Sequence, residues 1–263
     1  MRPQFSGRRG AALFLFLPAL ALFPGCFGDS TTQPEADALS EAENGAAADV
    51  SAMAIQLDAS TLQSVPGWMS QGVGTGLRSP SSTWSEPTQE WVVTASEDYS
   101  GTEATGHIET THRIQFLHDG TPMQYPNETT NQMHVAVTAS NVGSYHPTDR
   151  YSVDYDVTLT RELSCARSAE GVISLNGDGT AGGPLTYHVG NHDYPRQTTL
   201  DWSSALTFAA GSTCPAGTIT GSNGRCDFQA TFDGAGTVSW TVTRNSSVVR
   251  SGNEHRECTP VTR

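Results

Sequence analysis

The chain contains no lysine: its 14 Lys+Arg residues are all arginine, set against 27 acidic residues for a formal charge of −13. That absence excludes a phosphate-loop lysine, a Schiff-base lysine and a Ser-x-x-Lys nucleophile. Gly-x-Ser-x-Gly and His-Glu-x-x-His are also missing, so neither a nucleophile elbow nor a helical zinc-protease site is encoded in one stretch. A surface this acidic repels phosphate backbones, which excludes nucleic acid as a partner. Charged residues make up only 16% of the chain, and glycine is frequent. Together with abundant Ser and Thr, this suits turn-rich β-structure rather than helix.

The one long apolar run is residues 11–23, preceded by Arg2, Arg8 and Arg9. Thirteen helical residues rise only about 20 Å, short of a hydrocarbon core of roughly 30 Å. A basic start, a short apolar middle and a small residue before the cut form the pattern of a secretory signal, here residues 1–25. The run closes on Phe23-Pro24-Gly25-Cys26, which resembles the lipobox of bacterial lipoproteins. It departs from that pattern in carrying Phe23 where leucine is usual and Pro24 where a small residue is usual. The resemblance implies acylation of Cys26, by palmitate or a similar chain, and a mature protein anchored to a membrane through it. In the Gram-negative lipoproteins it resembles, Asp after the cysteine signals inner-membrane retention. Phe27 stands there instead, which implies the outer membrane.

Residues 26–50 hold the lipidated cysteine and then six acids with no basic residue, the composition of a disordered tether. A β-rich domain is expected over 51–263, with a division into two sub-units near residue 165. Residues 50–64 have helical character, and Pro66-Gly67 is expected to end that helix. Residues 70–90 read as loop.

Beyond this point a period of two takes over. Ile108, His112, Ile114 and Phe116 share one face, and Glu109, Thr111, Arg113 and Gln115 the other. Met133, Val135, Val137 and Ala139 make the next inward face. Tyr151, Val153, Tyr155, Val157 and Leu159 alternate with Ser152, Asp154, Asp156, Thr158 and Thr160. Shorter strands are predicted at 171–175, 185–189 and 200–208, then a final hairpin from Phe228 to Val242. Asp119-Gly120, Asp178-Gly179 and Asp233-Gly234 read as turns, because Asp-Gly supplies the positive φ that tight hairpins need. Strands at such spacing with no helical pattern between them predict an all-β fold: an antiparallel β-sandwich or barrel-like meander with disulfides.

Besides Cys26 there are Cys165, Cys214, Cys226 and Cys258, an even set for an oxidising compartment. Cys165 continues the inward parity of Tyr151 through Leu163, and Cys226 that of Phe228 through Phe232. These two are therefore expected to pair, leaving Cys214 for Cys258. The rival reading is a four-cysteine zinc site, but no Cys-x₂-Cys pair is present.

Among the eight histidines, His112 falls on an inward face and reads as a satisfied core imidazole. His188, His192 and Asp193 form the one compact His/Asp cluster, a weak candidate for a divalent metal, with His192 and Asp193 placed in a loop after a strand. Asn176-Gly177-Asp178-Gly179 lacks the downstream acid of a calcium loop and reads as a turn. No cofactor is expected. The leading reading is a non-enzymatic, lipid-anchored cell-envelope protein, a structural or interaction module with an envelope protein or glycan as partner. The alternatives are a β-barrel carrier of an apolar ligand or lipid, and a metal-dependent hydrolase.

Overall fold

A computed structural model describes residues 65–69, 82–102, 104–127, 129–255 and 258. The signal segment, Cys26, the acidic tether and the helix expected over 50–64 lie outside these residues. The strands are β1 (Ser82–Ser85), β2 (Glu90–Ser100), β3 (Ala104–His118), β4 (Thr121–Met123), β5 (Gln132–Thr148) and β6 (Tyr151–Arg167). They continue with β7 (Ile173–Val189), β8 (His192–Phe208), β9 (Pro215–Ser222), β10 (Asp227–Asp233), β11 (Thr237–Arg244) and β12 (Ser247–His255).

All belong to one antiparallel sheet whose strands lie side by side in chain order, with only β4 off the path as a short hairpin on β3. β1 and β12 do not pair with each other, so the meander is open rather than a closed barrel. Eleven adjacent strands at about 4.8 Å would make a flat sheet roughly 50 Å wide. Yet one face carries a single contiguous cluster of buried side chains from Trp91 on β2 to Val242 on β11. Val65 and Met69, from outside the sheet, belong to the same cluster.

Alternation sets the two faces. Along β6 the odd residues from Tyr151 to Cys165 point inward, while Asp154, Asp156, Glu162 and Ser164 are exposed. Two of the Asp-Gly turns are present, with φ of 47° at Asp119, 78° at Gly120 and 76° at Gly234. Asp233 stabilises its turn by accepting hydrogen bonds from the N–H groups of Ala235 (2.7 Å) and Thr237 (2.9 Å).

The third expected turn is not one. Asp178-Gly179 lies in mid-strand, because the segments expected at 171–175 and 185–189 are the two ends of a single 17-residue strand, β7. The glycines there answer to packing rather than chain reversal. A Cβ on Gly179 would stand 2.4 Å from Trp202 Cε2 and 2.9 Å from Arg161 Cδ; one on Gly177 would stand 2.0 Å from the Glu162 carbonyl oxygen. The Gly-x-Gly-x-x-Gly spacing of Gly177, Gly179 and Gly182 therefore sits inside a strand and opens no helix, so it has none of the geometry of a phosphate loop. The strand expected at 200–208 likewise starts earlier, at His192.

Residues 65–69 form one helical turn that includes Pro66 and Gly67 instead of ending before them. Proline is tolerated in a first turn, where its missing N–H has no partner to lose. Val65 and Met69 are fully buried in the core. Arg167 Nη1 donates to the Met69 carbonyl at 3.0 Å, and its Nη2 to the Thr130 carbonyl, fixing the turn against the sheet. Residue 165 is inside β6, which pairs with β5 and β7 on both sides of it, so the described sheet is undivided there.

Cys214 and Cys258 form a disulfide with Cα atoms 5.4 Å apart, joining the start of β9 to the segment after β12. Cys165 and Cys226 are free and buried, against expectation. Parity placed both inward but could not say how many strands separate them. β7, β8 and β9 lie between β6 and β10, about 19 Å along the sheet, whereas a disulfide needs Cα atoms within about 7 Å. Burial pushes the Cys165 thiol up to about 12 and raises that of Cys226, leaving both as unreactive core thiols.

Candidate functional site

The outer face is built from short polar side chains in rows that cross the sheet. One row runs Thr180–Asp201–Ser222–Asp227–Thr243 over β7 to β11, and beside it runs Asp178–Ser203–Thr220–Gln229–Thr241. These residues line an open groove of about 740 Å³. Its floor passes over Gly179 and Gly221, whose missing side chains make room on the inner face for Trp202 and Phe228. The outward positions of β6 to β10 include the exposed carboxylates Asp154, Asp156, Glu162, Asp178, Asp201 and Asp227. The arginines on these strands, Arg161, Arg167 and Arg196, fall on the inner parity. The groove therefore offers hydroxyls and hydrogen-bond acceptors in a strongly negative field.

At the other end of the same face His188 is held between two acids. Its Nδ1 lies 2.7 Å from Asp193 Oδ1 on β8, and its Nε2 lies 3.0 Å from Asp154 Oδ2 on β6. The Asp193 and Asp154 hydrogen bonds raise its pKa. This is the arrangement of an imidazolium donating from both nitrogens. A metal needs its donors to converge on one point, and here the two carboxylates occupy opposite edges of the ring.

His192 does not join this cluster. It belongs to β8 rather than a loop and pairs with Val189, while Asp193 pairs with His188. Adjacent strand residues point to opposite faces, so His192 turns away and its ring instead lies 6.4 Å from that of Tyr194. No group of three or more His, Cys, Asp or Glu side chains suited to a metal ion occurs among the described residues. Cys214 and Cys258 are committed to their disulfide, and Cys165 and Cys226 lie strands apart, so the cysteines do not gather as a zinc site either. His112 points inward as expected, edge-on to Trp68 with ring centroids 6.3 Å apart, and burial lowers its pKa.

Two features on the inner face were not singled out from sequence. Arg161 is only 2% exposed. It donates to the Gly177 carbonyl (3.1 Å) and to Ser204 Oγ (2.5 Å), and its guanidinium lies 5.6 Å from the centre of the Trp202 ring. The signal was present, since the odd parity of Tyr151 through Cys165 passes through position 161. Tyr99 and Tyr155 meet hydroxyl to hydroxyl, with Tyr99 also donating to Asn141 Oδ1 at 2.9 Å. They lean over Gly106 and Gly143, which lie between them on β3 and β5. Burial is the first cause raising both phenol pKa values. Both features are packing devices.

No protein-family model, curated protein or solved structure matches this chain. The class is therefore defined by the fold alone: an open, disulfide-latched antiparallel meander with a polar, acidic outer face.

Proposed function

We propose that this is a lipid-anchored envelope protein whose outer sheet face binds a hydroxyl-rich glycan, with Cys26 as the anchored residue and 27–50 as its tether. The observation that carries the reading is the groove across β7 to β11, lined by alternating hydroxyls and carboxylates. Strands about 4.8 Å apart repeat the same polar groups across the face, a lattice suited to a repeating polymer. Carboxylates accept charge-assisted hydrogen bonds from sugar hydroxyls, and Ser and Thr exchange donor and acceptor roles with them. A carrier of apolar ligands is less well supported, because buried side chains occupy the inner face in one continuous cluster.

Titration calorimetry with purified surface polysaccharide tests the binding role. Asp201→Ala and Asp227→Ala should each weaken binding about tenfold, since a hydrogen bond to a charged group contributes roughly 1.5–3 kcal/mol. A double variant that binds as tightly as the parent sinks the groove as the site. Cys26→Ser should move the protein from the membrane to the soluble fraction; unchanged fractionation sinks the anchor.

A further inference from the structure

On the β2–β3 hairpin a hydroxyl, an imidazole and a carboxylate fall into line. Ser96 and Asp98 are two residues apart on β2 and share its outward face; His107 lies directly opposite Asp98 on β3. Asp98 Oδ1 is 2.7 Å from His107 Nδ1, and Ser96 Oγ is 3.1 Å from His107 Nε2. We propose that Ser96, His107 and Asp98 form an acyl-transfer site for accessible carboxylic esters.

The roles follow from the two ring nitrogens. With Asp98 accepting from Nδ1–H, the neutral imidazole is fixed in the tautomer that turns its Nε2 lone pair toward the serine hydroxyl. Ser96 Oγ attacks the ester carbonyl carbon while His107 Nε2 takes the hydroxyl proton. The tetrahedral intermediate collapses, the carbon–oxygen bond to the alcohol breaks, and His107 returns the proton to the leaving oxygen. Water then attacks the acyl-serine by the same route, releasing the acid and restoring Ser96. β1 pairs with β2 only as far as Val93. Among the described residues no strand covers the edge of β2 from 95 to 100, so alternate backbone N–H groups there point away from β3. In this proposal the oxyanion takes its hydrogen bonds from N–H groups of the stretch that holds Ser96.

A second carboxylate sets the pH dependence. Glu109 Oε1 lies 3.4 Å from His107 Nε2. On the opposite side β5 presents Val142, with Ser140 and Ser144 on either side of it, and the next acid in that direction, Asp156, is a further strand away. The protonated ring is thus held by Asp98 and Glu109, and both hydrogen bonds raise its pKa. The base is free only above that value, so acylation should rise with pH through a midpoint above the usual imidazole range. His107 and Asp98 side chains are 43% and 90% exposed. Water screens such a site, and turnover should be slow compared with buried triads. The site is independent of the binding groove and does not rest on the glycan reading.

The test uses the full chain with p-nitrophenyl acetate and a fluorophosphonate probe. The expected result is a burst of about one p-nitrophenolate per chain, with the label mapped to Ser96. Ser96→Ala should abolish both, and His107→Ala and Asp98→Asn should slow acylation by about 10²-fold or more. Glu109→Gln should move the midpoint of the pH profile downward while the label stays on Ser96. Burst and label that persist in Ser96→Ala, or a label scattered over other hydroxyls, would overturn the proposal. So would a parent protein that neither bursts nor labels.

Discussion

Replacing Gly179 with alanine adds one methyl group at a crowded point of the inner face. The new Cβ would stand 2.4 Å from both Cε2 and Cζ2 of Trp202 and 2.9 Å from Arg161 Cδ. Neither neighbour yields easily, because Trp202 is 4% and Arg161 2% exposed, and Arg161 is tied to Gly177 and Ser204. Overpacking of a filled core costs about 1–3 kcal/mol, and a contact with a rigid buried ring belongs at the upper end. For a domain of this size that corresponds to a fall in Tm of about 6–12 °C. Urea unfolding should show a lower midpoint with an unchanged slope. Trp202→Leu alone should also destabilise, by removing ring surface from the core. Combined, the two changes should cost less than their sum by about 1–3 kcal/mol, because leucine vacates the space the methyl group needs. A turn glycine would show no such coupling. Strict additivity, or a Gly179→Ala variant as stable as the parent, refutes the packing account of β7.

The disulfide closes a separation of 44 residues, so Cys214→Ser with Cys258→Ser should lower stability by about 4 kcal/mol on the chain-entropy model. Non-reducing peptide mapping should recover Cys214 joined to Cys258, with Cys165 and Cys226 alkylated only after denaturation; a Cys165–Cys226 peptide would contradict the strand order. His188 has a folded pKa above its unfolded value. Its contribution is fully present below the ordinary imidazole pKa near 6.5 and is lost as pH rises through the folded value. His188→Gln should therefore flatten the decline in stability across that window, and an unchanged pH profile would show that the two aspartates do not hold the ring in solution.

Alternation was legible in the sequence wherever one face is dry. Tyr151 through Cys165, Phe228 through Phe232 and the inward turn of His112 all follow from a period of two and a buried side. What alternation does not carry is which strands become neighbours. Cys165 and Cys226 were both read as inward, but their pairing needed a proximity that only the strand order could deny. Asp178-Gly179 departs from its local preference for a related reason. Locally Asp-Gly favours a turn, yet Gly179 is a notch for side chains on β6 and β8 that lie 18 residues before it and 23 after it in sequence. Ser96, Asp98 and His107 form no contiguous motif and become a set only through the register of a hairpin. Arg161 falls on the inward parity of β6, yet arginine is so seldom fully buried that its residue type points the other way.

The strict chain order of the meander bears on how the protein is made. Each strand from β6 onward pairs with the one just before it, across connections of a few residues. No strand has to wait for a distant partner, so the sheet can lengthen one strand at a time. Contacts between sequence neighbours carry little loop-closure entropy, which favours early and rapid pairing for a β-protein of this size. The growing edge is always the newest strand. It presents unpaired N–H and C=O groups until the next strand arrives, and such an edge invites pairing with other chains. Among the described residues no strand follows β12. Joining the segment beyond it to Cys214 closes a covalent loop around β9 to β12, so oxidation of that pair locks those four strands together.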